Sequence, residues 1–151
     1  MIRLATLPDA AAIAALYTDL THEMATLAPT VIRPLNAPKT GYFRDYITDD
    51  ASGVWVATHA DTIVGFALAV TATTGVEAEA VPHRFAYLID IYLTPAARRQ
   101  GLGHQLLVAV DAWRQANDLA FLQLNVLAAN TAARQFYAAQ GFTETTLTLM
   151  R

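Results

Sequence analysis

The sequence predicts an α/β fold built on a mixed sheet, antiparallel in its first half, with helices on both faces. Three observations carry that expectation. Val54 to Thr58 and Ile63 to Val70 are apolar, β-branched runs around an Ala60-Asp61 turn, the pattern of a hairpin. From residue 85 the pattern becomes strand (85–93), helix (104–117), strand (120–127), and such a crossover implies a parallel pair between the strands near 88 and 123. Finally, 151 residues with 54% hydrophobic content suit one sizeable core, so residues 1–151 are expected to form a single domain.

The remaining elements follow in order. Ile2 to Ala5 reads as a short strand. Thr6-x-x-Asp9 resembles a capping box, after which Ile13, Leu16, Tyr17, Leu20 and Met24 recur at helical spacing. Residues 26–41 contain Pro29, Pro34, Pro38 and Gly41, which argue against a continuous helix. Gly41 to Ile47 fits a short helix with Phe43, Tyr46 and Ile47 inward. Ala72 to Arg84 is polar and aperiodic, hence a loop. Leu102, Leu106, Ala109, Val110 and Trp113 form the core stripe of the helix at 104–117, which makes Trp113 a packing residue. A helix at 131–140 and a last strand at 142–150 complete the prediction.

Composition narrows the function. The net charge of −3 offers no basic face for nucleic acid. No apolar stretch approaches the ~20 residues of a membrane span, and the N-terminus lacks a signal-peptide pattern, so a cytoplasmic protein is expected. The absence of cysteine excludes disulfides, cysteine nucleophiles and thiolate metal sites. His22, Glu23 and His59 are scattered, and no metal site is expected.

The most informative segment is Arg98-Arg99-Gln100-Gly101-Leu102-Gly103, between the strand ending at Pro95 and the next helix. A helix start presents unpaired N–H groups and the positive end of the macrodipole. Glycines let an anion approach those groups, and the arginines add charge and fork geometry, so the segment reads as a phosphate cradle. It lacks the Gly-Lys-[Ser/Thr] ending of a P-loop and is not Gly-x-Gly-x-x-Gly.

The cradle instead resembles Arg/Gln-x-x-Gly-x-Gly/Ala, the pyrophosphate signature of the GNAT superfamily of acyl-CoA N-acyltransferases, with Arg98, Gly101 and Gly103 on its fixed positions. Asn125-Val126 and Asn130-x-x-Ala133-Arg134-x-Phe136-Tyr137-x-x-x-Gly141-Phe142 resemble the family's second signature, and Ile2 to Thr6 followed by Asp9 resembles its opening. The resemblance covers nearly the whole chain. It implies the GNAT fold, in which a central parallel pair, here the strands containing Ile91 and Gln123, splays at a bulge to admit the pantetheine arm of acetyl-CoA. It also implies that Arg98, Arg99, Gln100, Gly101, Leu102, Gly103 and His104 hold the pyrophosphate. Backbone groups of Ile91, Tyr92 and Leu93 would pair with pantetheine, and Asn130 and Ala133 of the second signature would lie along the coenzyme. Asn130 is equally a helix cap, and His104 equally a solvated first-turn residue.

Acetyl transfer to an amine needs a held donor, a neutral amine, a stabilised oxyanion and a protonated leaving thiolate. Periodicity alone makes Tyr137 a core residue, whereas its place in the second signature makes it the general acid. In some relatives a glutamate at the position of Ile89 takes the amine's proton; this chain has none there. Asp90 matches a neighbouring acid of diamine acetyltransferase-like members, and a carboxylate between Ile89 and Ile91 calls for a partner. Glu79 and His83 precede it in the loop that borders the acceptor site in the family. The bland alternatives are a strand acid for Asp90 and exposed loop residues for Glu79 and His83. The expected activity is transfer of acetyl from acetyl-CoA to a small cationic primary amine. A protein lysine or N-terminal acetyltransferase and a non-catalytic CoA-binding module are the alternatives. The Thr145-Leu147-Leu149 alternation suggests an uncovered edge strand, and many relatives pair there, so a homodimer is expected.

Overall fold

The computed structural model describes residues 1–151. Its elements are β1 (Ile2–Leu4), α1 (Ala10–Leu27), α2 (Thr40–Thr48), β2 (Ser52–His59), β3 (Thr62–Thr73), β4 (Arg84–Leu93), α3 (Leu102–Ala116), β5 (Leu122–Leu124) and α4 (Thr131–Ala139). They form one sheet of order β1-β2-β3-β4-β5, antiparallel except for the parallel β4–β5 pair. The crossover expected from the sequence is present, with Tyr87 opposite Gln123 and Leu88 opposite Leu124.

Local chemistry accounts for the element ends. Ala60 and Asp61 both adopt positive φ (45° and 63°), the backbone a two-residue primed turn requires between β2 and β3. At the entry to α1, the Thr6 N–H donates to Asp9 Oδ2 at 2.8 Å, and Arg3 donates to both oxygens of the same carboxylate at 2.6 and 3.0 Å. The Arg3 guanidinium holds the Asp9 carboxyl down at about 2. The carboxylate thereby joins β1 to the first helix.

Two cores flank the sheet. On one face α1 and α2 cover Val54, Val56, Phe66, Leu68 and Tyr92, with Phe43 at the centre. On the other, α3 covers Trp55, Ala57, Ala67, Ala69 and Leu88 through Leu106, Leu107 and Val110. Trp113 packs edge-on against Trp55 at 5.8 Å, as a core residue should.

Two expectations need correction. Residues 142–150 form no strand: the segment joins no ladder of the sheet, with Leu147 75% and Leu149 88% exposed. Alternation specifies a strand only where a neighbour supplies hydrogen bonds, and β5, three residues long, stands at the sheet's edge with its outer side free. The parallel pair therefore closes the sheet instead of lying inside it.

Candidate active site

The cradle is made by backbone. Arg98 leaves a short 3₁₀ turn in extended conformation, then Arg99 (φ 64°) and Gly101 (φ 81°) take left-handed conformations that swing the chain into α3. Successive N–H groups in such a path converge on one concavity. None of the N–H groups of residues 99–104 meets an acceptor in the chain; the first that does is Gln105, on the Gly101 carbonyl at 3.1 Å. A Cβ built on Gly101 would meet nothing within 4 Å, so the space in front of these donors is open. Six donors, a helix start and an open approach fit a pyrophosphate.

Several side chains of this segment also make contacts within the chain. Arg98 turns to α1, where its guanidinium donates to both Glu23 oxygens at 2.8 Å, and its Nε donates to the Leu93 carbonyl at 3.0 Å. Tyr92 donates its hydroxyl to the same Glu23 at 3.0 Å, and Arg98 lies over the Tyr92 ring. Arg98 thus pins the cradle to α1. The guanidinium of Arg99 makes no hydrogen bond within the chain. Gly103 is small for packing: a Cβ there would come within 3.1 Å of Phe136 on α4. His104 is braced, its Nδ1 2.6 Å from Gln140 Oε1. Gln100 folds back onto the Ala96 carbonyl, and Leu102 is buried. The sequence offered Glu23 only among scattered residues that support no metal site and gave no sign of its pairing with Arg98, although an acid at helical spacing from Leu16 and Leu20 was its signal.

Beside the cradle the two parallel strands part. The β4–β5 ladder ends at Leu88–Leu124. At the next residue β4 bulges against β3: Leu88 faces Ala69 and Asp90 faces Leu68, leaving Ile89 without a partner. This irregularity decides where Asp90 points. Cross-strand partners share a face, and Leu68 belongs to the α1/α2 core, so Asp90 lies on that side while Ile91, opposite Ala67, joins the α3 core. Beyond the bulge, Ile91, Tyr92 and Leu93 run along the opening to the cradle.

Asp90 makes no ion pair and no hydrogen bond, and burial pushes its carboxyl up to about 6. Tyr137, on α4, reaches the same opening from the other side. Its ring packs against Phe136 and Phe142 with centroids 5.4 and 5.6 Å away. Burial first, and the Asp90 charge second, raise its phenol to about 12. Its hydroxyl has no partner in the chain. Asn130 caps α4, accepting from the Ala133 N–H at 3.1 Å, and its amide lies 3.9 Å from the Met24 sulfur. Asp90 and Tyr137, far apart in sequence, face one opening.

Glu79 and His83 do not join them. Both are exposed, His83 stacks edge-on against Phe121, and the loop is tied to the end of β3 through Thr74. Strand rise places His83 roughly 20 Å from Asp90 along β4, at the end away from the cradle. The face of β4 that borders the opening is met by α1 and α2, and not by this loop.

The fold and the cradle define a class of α/β protein with a run of unpaired N–H groups beside a parted parallel strand pair. The model of the Acetyltransferase (GNAT) family matches residues 13–142, and the chain belongs to that family. No curated protein matches the chain. Among solved structures, a tetramutant of the BH1408 protein from Bacillus halodurans is 21% identical with a TM-score of 0.91, over 100% of this chain and 98% of that one. Aminoglycoside N-acetyltransferase AAC(6')-Iy in complex with CoA is 18% identical, with a TM-score of 0.72 over 100% and 97%. An aminoglycoside acetyltransferase from an uncultured soil metagenomic sample is 16% identical, with a TM-score of 0.69 over 100% and 94%. These three share the fold. In addition, no helix is long and apolar enough to cross a membrane.

Proposed function

We propose that the chain is an acetyl-CoA-dependent N-acetyltransferase acting on a small cationic primary amine. One observation carries this reading: the unpaired N–H groups of the cradle lie at one end of an opening that Asp90 and Tyr137 border from opposite sides. Acetyl-CoA supplies the thioester acetyl group; the chain's residues bind, orient and handle protons. The N–H groups of residues 99–104 hold the pyrophosphate. The freed backbone of residues 91–93 pairs with the pantetheine arm as an added strand would. Tyr137 aims a proton at the leaving sulfur, and Asp90 draws in the ammonium.

Asp90 also helps with the amine's proton. An alkylamine near pKa ~10.4 and an ordinary carboxylate near ~3.9 are ~6.5 units apart. Burial brings Asp90 to about 6 and so closes roughly 2 of those units. Water completes the relay, since Ile89 carries no acid.

An assay of free-thiol release with acetyl-CoA and a panel of polyamines, aminoglycosides and lysine peptides tests the proposal. Turnover with a small polycationic amine is expected. Turnover confined to peptides would make it a protein acetyltransferase, and coenzyme binding without turnover on any amine would make it a binding module.

The cradle has its own test. Gly101→Val puts a branched side chain into the open approach and forces it to φ 81°, so acetyl-CoA affinity is expected to fall at least tenfold. Calorimetry on a variant with unchanged circular dichroism checks it; unchanged affinity would remove the assignment.

A homodimer is supported by the free outer side of β5 and by the exposed apolar Leu147, Leu149 and Met150. Light scattering at micromolar concentration should give twice the chain mass, and a monomer would refute it.

A further inference from the structure

The α1/α2 side of the sheet, on which Asp90 lies, carries an aromatic cluster. Tyr17 of α1 and Tyr42 of α2 stack with centroids 6.1 Å apart and planes 19° from parallel, and Tyr46 meets Tyr42 edge-on at 4.9 Å. All three are half-buried and pack on the α1/α2 core that Asp90 also faces. Their fixed positions come from Phe43, whose ring lies edge-on to both Tyr17 and Tyr42 at 5.4 and 5.1 Å and then rests on Phe66. The Asp90 charge reaches both tyrosines: burial and then Asp90 raise Tyr17, and burial, Tyr46 and Asp90 raise Tyr42. Moreover, Tyr42 already takes a cation from the chain itself, the exposed Lys39 ammonium 5.8 Å from its ring centre.

A ring face attracts cations through its quadrupole, and the attraction grows as water is excluded. A lone buried carboxylate provides the opposite charge but no shape. Two stacked rings add a flat apolar boundary. We propose that Tyr17 and Tyr42, together with Asp90, form a cation-binding wall on the acceptor side that takes an alkylammonium, its carbon chain lying along the rings. The proposal rests on the acceptor side assigned above. It makes the two tyrosines specificity-determining: a neutral amine of the same shape loses both the carboxylate and the ring faces.

The tetramethylammonium ion tests this without chemistry, because it has no N–H to acetylate. Titrated into the wild-type chain, it should shift the Tyr17 and Tyr42 ring resonances saturably at millimolar concentration, whereas neutral tert-butanol of similar size should not. Tyr42→Leu and Tyr17→Leu should each weaken the ion roughly 2- to 30-fold, while Tyr42→Phe, which keeps the ring face, should stay within twofold of wild type. Acetyl-CoA affinity should be the same in all. Equal shifts with tert-butanol, no saturable shift, or leucine variants that bind like wild type would each overturn the wall. The wild-type titration decides the matter even if a leucine variant does not fold. Loss of acetyl transfer with intact ammonium binding would instead overturn the enzyme reading and leave the wall standing.

Discussion

Tyr137→Phe is expected to lower kcat by ~10² to 10⁴ while fold and acetyl-CoA affinity stay as they are, since only a hydroxyl is removed. Steady-state rates with the best amine and calorimetry for the coenzyme check both halves. A phenol at about 12 is a weaker acid than a free thiol near ~8.5, so proton transfer is uphill by ~3.5 units in the empty site. Two physical effects narrow that gap. The burial that raises the phenol also raises a thiolate formed beside it. Part of the Tyr137 shift also comes from the Asp90 charge, which an ammonium at Asp90 neutralises. Tyr137 is thus a better acid when the acceptor is bound. A kcat within twofold of wild type would make Tyr137 a packing residue.

Asp90→Asn is expected to cut kcat/KM for the amine by ~10² or more and leave acetyl-CoA binding unchanged, because it removes charge and keeps size. The same substitution should stabilise the protein at alkaline pH. Asp90 titrates at about 6 in the fold against ~3.9 unfolded, so its ionisation opposes folding. That cost is absent below pH ~4, grows between 4 and 6, and is complete above 6. At ~1.4 kcal/mol per unit it amounts to about 2–3 kcal/mol, or roughly 4–12 °C in Tm for a chain of this size. Thermal melts at pH 8 and pH 4 should show a gain that vanishes at the lower value. In the wild type, amine affinity should fall as the pH drops below 6, where the carboxylate becomes neutral. Loss of amine and coenzyme binding together, or a lower Tm at pH 8, would make Asp90 a structural acid.

How much of this was legible in the sequence depends on the range of the interaction. Periodicity located α1, α2, α3 and α4, the hairpin and the crossover, because each is set by neighbours within a few turns. The cradle was legible because glycine spacing dictates backbone path. Arg98, by contrast, is claimed by Glu23 from 75 residues away, and no local pattern announces that pairing. Residues 142–150 alternate correctly yet lie unpaired, since a strand needs a partner and alternation describes only one side of the bond. Glu79 and His83 are near Asp90 in number but a strand's length away in space. The tyrosine wall fell between these cases: Tyr42 and Tyr46 stand at i, i+4, and only the packing of α1 on α2 brings Tyr17 to them.

The unpaired Ile89 works on β4 as an inserted letter works on a reading frame. Before it the even-numbered Leu88 faces the α3 core; after it the odd-numbered Ile91 and Leu93 do, and the even-numbered Asp90 and Tyr92 face the α1/α2 side. Were Ile89 paired in the ladder instead of inserted, the downstream strand would be read out of phase: the carboxylate of Asp90 would turn to the α3 side, and Ile91 would face the tyrosines. Chemistry at this opening is therefore encoded by strand register as much as by residue identity, and a chain with all the same side chains on an unbulged β4 would have the residues of the site without the site.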